Sequence, residues 1–370
     1  MAVFVITVLG VWGLVHAYVL WRLWRLPTLN TPFAHRALVV AAVFLFVSYP
    51  LSRFLYHWRL SAVARPLELA GTTWMGTLFL LFAALLVVDA VTAGGLLLPK
   101  LVPTVRGWAL MIGALLSAIA LVQGLRDPVV RDYEVRLSGL PAQRNGTVLV
   151  ELSDVHLGTL IGERWMARLV GRVNAMKPDL VVVDGDLVDG NVGEVKPLLP
   201  VLKGLRAPLG VWAVTGNHEW YAGIDRSVQL FKDAGYTVLR DRWAEVVPGL
   251  VFAGVDDLTG RRQFGQLDHP IEKALAGRPA GATVLLSHSP LKADAAAAAG
   301  AGLMLSGHTH DGQIWPFGYL VRLVYPLLGG RYEVNGMTVI VCRGTGTWGP
   351  RMRLWRPSEI VRITLRTATS

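Results

Sequence analysis

The chain has 370 residues, 53% of them hydrophobic and only 17% charged, with mean hydropathy +0.45 and a formal net charge of +10. A soluble domain carries about 25% charged residues, so a wholly soluble protein of this size is excluded. One cysteine, Cys342, leaves no intramolecular disulfide and no CxxC metal motif, and reads most simply as a small buried apolar residue in a strand.

The apolar excess lies in the first third. From Met1 to Leu125 there are eight Lys and Arg and two acids, Glu68 and Asp89, a charge of +6. The rest holds 28 basic and 24 acidic residues, a charge of +4. The early basic residues flank apolar runs, which suits anionic lipid headgroups. The later ones form no long run, so no nucleic-acid partner is expected, and no protein partner is indicated.

Four apolar stretches follow in chain order. Ala2–Trp21 has no charge and is about as long as a bilayer core requires. Ala37–Leu51 extends to Tyr56 if Arg53 snorkels. Thr72–Leu98 holds a single acid, Asp89, and Trp108–Leu125 is the fourth. A signal peptide is a poor reading of the first, because no basic segment precedes it and three more spans follow. Residues 1–126 therefore read as a transmembrane bundle of about four helices, with a separate domain over 127–370. Trp12, Trp21, Trp24, Trp58, Trp74 and Trp108 fall mostly at span ends, as interfacial anchors do. Asp89 reads as a helix-paired or interfacial carboxylate, with a functional intramembrane acid as the alternative.

Orientation is finely balanced. Arg22, Arg25, Arg36, Lys100 and Arg106 lie on one side; Arg53, Arg59, Arg65, Arg126 and Arg131 lie on the other. The first helix carries its positive flank on its C-terminal side, which favours an extracytoplasmic N-terminus. With four spans the second domain would be extracytoplasmic too.

After Asp127-Pro128 short β-rich runs appear: Thr147–Leu152, Leu180–Val183, Val211–Val214, Val251–Val255, Thr283–Leu286, Leu303–Leu305, Thr338–Val341 and Ile360–Leu365. Helical patterns at Arg164–Met176 and Arg226–Ala234 lie between some of them. Continuous apolar strands with interleaved helices predict an α/β sandwich with covered sheets.

Five of these runs lead straight into metal-ligating residue types. They are Ser153-Asp154-Val155-His156, Gly185-Asp186-Leu187-Val188-Asp189, Gly216-Asn217-His218-Glu219, Ser287-His288-Ser289-Pro290 and Gly307-His308-Thr309-His310. Ligands of open α/β sheets gather at the carboxyl ends of strands, so all five would meet at one edge. Five of the six histidines of this part lie in them; only His269 stands outside. In Asp154-x-His156 and His308-x-His310, a two-residue separation puts both side chains on one side of an extended segment. The glycines before Asp186, Asn217 and His308 permit tight turns and close backbone approach. Such His-rich pockets sharing carboxylates suit Mn, Fe or Zn better than Ca or Mg.

Together, in this order, the five motifs resemble the calcineurin-like metallophosphoesterase superfamily, from about Thr147 to the C-terminus. Gly307–Gln313 and Arg343-Gly344-Thr345-Gly346-Thr347 with Pro350-Arg351 look like its membrane-associated bacterial branch. That branch includes enzymes similar to UDP-2,3-diacylglucosamine pyrophosphatase and cell-wall phosphodiesterases. Asp311 departs from the branch, which usually has Gly there. It would add charge near a metal or point to solvent, the plainer outcome. The resemblance implies a four-layer αββα sandwich after the transmembrane bundle, and two divalent cations. It implies Asp154, His156, Asp186 and His310 on one, and Asp186, Asn217, His288 and His308 on the other, with Asp186 bridging. It implies that His218 faces the substrate phosphate as a catalytic residue, supported by Asp189.

Two metals about 4 Å apart can share a water and lower its pKa toward neutrality, whatever the family. The expected activity is hydrolysis of a phosphoester, phosphodiester or pyrophosphate at a bacterial cytoplasmic membrane, on a lipid-linked or small phosphorylated substrate. An inactive membrane sensor or scaffold is the alternative. Ile314–Leu328, apolar and aromatic, begins just after His310. It reads as packing over the sheet or as a lipid-facing lip. Arg322 and Arg331 read as solvated charges or as contacts to a second phosphate.

Overall fold

The computed structural model describes residues 2–368 apart from positions 59 and 267; the side chains of residues 2–6 and 8 are left aside. The chain divides into two compact units. One comprises Met1–Leu125 with Gly349–Trp355, the other Arg126–Trp348 with Arg356–Ser370.

The first unit has four long helices: α1 (Ala2–Trp24), α2 (Pro32–His57), α3 (Ser61–Val91) and α4 (Val102–Gly124). The last three are long and apolar enough to cross a membrane. The span expected at Ala2–Trp21 falls partly on side chains outside the described set, and Arg59 lies outside the described residues. Thr31 starts α2 by accepting a hydrogen bond from the Ala34 N–H (3.1 Å), with Pro32 at the first helical position. The third span was expected to reach Leu98, but α3 stops at Val91. Gly94 and Gly95 then take φ of +70° and +103°, which reverses the chain.

Small residues bring these helices together. A Cβ on Gly71 would lie 2.6 Å from the Tyr49 amide nitrogen, and one on Gly113 3.0 Å from Leu81 Cδ2. Trp12 departs from the anchoring pattern: it is buried and stacks on Phe46 (4.8 Å). Asp89 is helix-paired. It bonds Arg22 and Tyr18 of α1, and Arg106 of α4 at 2.7 and 2.8 Å. Removing that charge takes the counter-ion from the buried Arg22 and from the partly buried Arg106, which keeps only the Gly94 carbonyl. Asp89→Asn is therefore expected to cost about 3–5 kcal/mol, read as a lower unfolding temperature of the full chain in nanodiscs. An unchanged unfolding temperature would show the cluster to be structurally idle.

Gly349–Trp355 packs on the end of α4. The Arg353 amide donates to the Ala120 carbonyl (2.8 Å) and the Trp355 amide to Gln123 Oε1 (2.9 Å). A remote segment is thus hydrogen-bonded to the last turns of the helix. Gly124 permits the approach, since a Cβ there would sit 2.5 Å from the Arg351 carbonyl oxygen.

The second unit holds two six-stranded sheets. The strands are β1 (Val129–Leu137), β2 (Val148–Leu152), β3 (Leu180–Asp184), β4 (Val211–Val214), β5 (Thr237–Val238), β6 (Arg242–Val247), β7 (Leu250–Gly254), β8 (Ala282–Leu286), β9 (Leu303–Ser306), β10 (Gly330–Val334), β11 (Met337–Val341) and β12 (Glu359–Thr367). Their orders are β1-β12-β2-β3-β4-β5 and β10-β11-β9-β8-β7-β6. β2 to β5 are parallel, as are β7, β8, β9 and β11.

Alternate residues along each strand enter different layers. Val181 and Val183 meet Met166, Leu169 and Val173 of the helix Glu163–Ala175, here α5. Leu180 and Val182 face Val284, Leu286, Leu303 and Leu305 of the other sheet. Leu285 and Met304 pack outward on Ile271, Leu275 and Ala296. Three apolar layers between helices, two sheets and helices give the αββα order. Cys342 is fully buried in the middle layer.

Candidate active site

The five motifs leave β2, β3, β4, β8 and β9 at their carboxyl ends and converge. Asp154, His156 and His310 bring donor atoms within 4.8 Å of one another, and so do Asp186, His288 and His308. Asp186 lies between the groups, its Oδ2 being 3.1 Å from His288 Nε2 and 3.9 Å from His156 Nε2. Asn217 Oδ1 is 2.7 Å from His308 Nδ1, and Asp154 Oδ1 is 3.3 Å from His310 Nε2. His218 and Asp189 form a third group with His156. All nine residues singled out in the sequence are thus in one place. His269 is exposed and stands apart beside Glu272.

The geometry behind the paired motifs differs from the expectation. Asp154, His156, Asp186, His308 and His310 all have positive φ, between +49° and +67°. They sit on turns, not on extended segments, and it is the folded-back backbone that makes each pair converge. Left-handed conformation costs an L residue of order 1–3 kcal/mol, and surrounding contacts must hold it. Here Asp154 N donates to Gly185 O (3.2 Å) and His156 N to Asp186 O (3.0 Å). His308 N donates to the Asp154 carboxylate (3.0 and 3.1 Å). The glycine expectation is met sterically. A Cβ on Gly185 would come within 2.7 Å of His288, one on Gly216 would collide with Asp186 Oδ1, and one on Gly307 with Ser153 Oγ and Asp154 Oδ2.

The donors suit cations. His288 Nδ1 donates to the Asp184 carbonyl (2.7 Å), which leaves its buried Nε2 facing the Asp186 carboxylate. His156 and His310 turn their Nε2 atoms toward each other at 3.1 Å, a crowding of donors that a cation relieves. Burial pushes His156 down to about 3, aided by the charges of His218 and His310, so its ring is neutral, as ligation requires. Burial would raise Asp186, but His288 and His218 hold it well below the usual carboxylate range. Burial would lower His218, yet Asp186 and the Asp189 carboxylate, 3.0 Å from its Nδ1, push it up to about 9. Tyr221 and Trp348 flank the ring of His218 at 5.3 and 5.7 Å.

Sequence reading missed three residues that brace this site. Glu219 is fully buried and accepts the amides of Asp186 (2.9 Å), Gly216 (2.7 Å) and Val188 (2.9 Å), tying two motif loops together. Its place two residues after Asn217 was the available signal. Gln313 exchanges two 3.0 Å hydrogen bonds with the Trp348 backbone, clamping the loop after His310 to the loop after β11. Tyr325 OH lies 2.8 Å from His308 Nε2 and 3.2 Å from Thr259 Oγ1. Asp311 does not face solvent: it is buried and paired with Arg343 (3.1 Å) and Arg356 (3.3 Å). Arg331 pairs with Glu333 on the surface, while Arg322 is exposed.

His and carboxylate donors at the strand ends of a double-sheet sandwich define a metal-dependent hydrolase site. Residues 148–312 match the family described as calcineurin-like phosphoesterase. A transmembrane protein with metallophosphoesterase domain from Danio rerio is 37% identical over 272 residues, covering 70% of this chain and 62% of that one. Its Bos taurus namesake is 34% identical over 281 residues with the same coverages. An uncharacterized metallophosphoesterase of Aquifex aeolicus (strain VF5) is 36% identical over 243 residues, covering 64% of this chain and 91% of its own. The chain belongs to the calcineurin-like metallophosphoesterase family. Its metallophosphoesterase domain is preceded by a helical region in which three helices are apolar and long enough to cross a membrane. It spans less than two thirds of the length of the Danio rerio and Bos taurus relatives.

Proposed function

We propose that the chain hydrolyses a phosphoester, phosphodiester or pyrophosphate bond at a bacterial cytoplasmic membrane, with two divalent cations. One would be held by Asp154, His156, Asp186 and His310, the other by Asp186, Asn217, His288 and His308, with Asp186 common to both sets. The observation that carries this is the convergence of seven donors from five strand-end loops, with Asp186 between the two groups. The His-rich set favours Mn, Fe or Zn. When bound, such cations supply the Lewis acidity that activates water and offsets phosphoryl charge.

The chain's own groups do the rest. His218 is the catalytic acid: its ring proton serves the departing oxygen, and its charge faces the phosphate. Asp189 accepts the Nδ1 proton, which orients the ring and leaves Nε2 to act. Tyr325 holds His308 through Nε2, which leaves Nδ1 beside Asn217 for the cation. Glu219 keeps the Asp186 and Asn217 loops in register. Glu219→Gln turns one acceptor into a donor facing an amide, so a loss of about 1–3 kcal/mol in stability is expected. Thermal unfolding measures it, and an unchanged midpoint would remove the bracing role.

The substrate we favour is lipid-linked, since membrane anchoring keeps the site near the bilayer. The catalytic domain is extracytoplasmic in this reading, and an alkaline-phosphatase fusion at the C-terminus tests the side. The scaffold alternative needs a missing ligand, and all seven are present. The deciding experiment is metal analysis of the full chain purified in detergent, followed by phosphomonoester, phosphodiester and lipid pyrophosphate substrates. Bound metal with turnover of at least one class is expected. A chain that takes up no metal overturns the proposal.

A further inference from the structure

The segment after His310 packs on the domain at its ends and turns outward between them. Its two ends are fixed: Ile314 and Leu328 are buried, and Thr309 Oγ1 donates to the Leu328 carbonyl. Tyr325 is anchored on His308 and Thr259. Between these anchors the apolar side chains turn outward, with Tyr319 66%, Leu323 82% and Val324 64% exposed. Leu320 and Phe317 are exposed as well, and the exposed cation Arg322 sits among them. A loop whose roots are rigid and whose apolar crest faces outward is presented, not merely uncovered.

We propose that Ile314–Leu328 is a lip that seats on a lipid surface. Tyr319, Leu320, Leu323 and Val324 enter the headgroup region, and Arg322 meets lipid phosphate. Three observations select lipid as the occupant. The same chain carries helices able to cross a membrane, which hold the second unit at high effective concentration near a bilayer. Aromatic and aliphatic side chains beside an Arg are the composition of interfacial elements, and the cation complements anionic headgroups. Trp348, clamped by Gln313 at the root of the lip, is exposed as well and adds an interfacial aromatic to the same surface. The seated lip would deliver an amphipathic substrate a few residues from His308 and His310. This deepens the proposed function and rests on its placement of the chain in a membrane.

The test uses the full chain in nanodiscs of phosphatidylethanolamine and phosphatidylglycerol. Leu323→Cys is labelled with an environment-sensitive fluorophore, the native thiol Cys342 being buried. Glu272→Cys, on an exposed helix position, is the control. Seating predicts a blue shift and quenching by brominated acyl chains at position 323, with iodide quenching only at 272. Iodide quenching at both positions overturns the lip. Protection from both quenchers together with cross-linking between two copies also overturns it, assigning the surface to self-association. Turnover of bis-p-nitrophenyl phosphate by the same samples separates the readings. Turnover with an aqueous label sinks only the lip; no turnover of this diester, of a phosphomonoester or of a lipid pyrophosphate by the unaltered, metal-loaded chain sinks the hydrolase reading, whatever the label reports.

Discussion

Asp186→Asn is expected to remove bound metal and hydrolysis together while the chain stays folded. Asp186 lies close to both histidine groups, 3.1 Å from His288 and 3.9 Å from His156. Its backbone is held independently by Glu219, so the loop keeps its course when the side chain changes. Asparagine keeps the shape and removes the charge that lets two cations lie close. Lewis-acid stabilisation amounts to several kcal/mol, and each 1.36 kcal/mol is tenfold in rate. A loss of roughly 10³-fold or more follows. Metal content and turnover of a soluble phosphodiester measure it; near-normal values for both would remove Asp186 from the centre.

His218→Ala separates catalysis from ligation. The variant should keep its metal and lose about 10²–10⁴-fold in turnover, the usual worth of a positioned acid. His218 stands with His156 and Asp189 in a group close enough to hold a cation, so the opposite outcome has a structural basis. Metal lost along with activity would make His218 a ligand. Asp189→Asn gives a second reading of the same pair: it should lower turnover less than His218→Ala and leave metal content unchanged, since Asp189 acts through the ring.

Much of this architecture was legible because the buried strands are continuous apolar runs. β2, β3, β4, β8 and β9 are entirely or almost entirely buried, and each ends in a motif whose residue types have few other uses. β1, β5, β6 and β10 were not read. β1, β6 and β10 are edge strands with mostly exposed or half-buried positions, and β5 has two residues, too few for any period to show. The site residues were legible by type, but their conformation was not. Nothing in Asp154-x-His156 signals two left-handed residues, because the surrounding hydrogen bonds that hold them come from distant loops. Glu219, Gln313 and Tyr325 were missed for a related reason. Each works by gripping the backbone or ring of a residue brought near by folding, 31 to 35 positions away for Asp186, Val188 and Trp348 and 17 for His308.

The segment Gly349–Trp355 carries a practical lesson about where this molecule can be cut. By sequence it lies deep inside the hydrolase half, yet its neighbours are the last turns of α4. A fragment beginning at Arg126 would retain Met352, Arg353 and Leu354, all fully buried in the intact chain, without the helix end on which their segment packs. Arg353 would also lose the helix carbonyl its amide uses. Such a fragment is a poor stand-in for the enzyme, and removal of the bundle takes away more than an anchor.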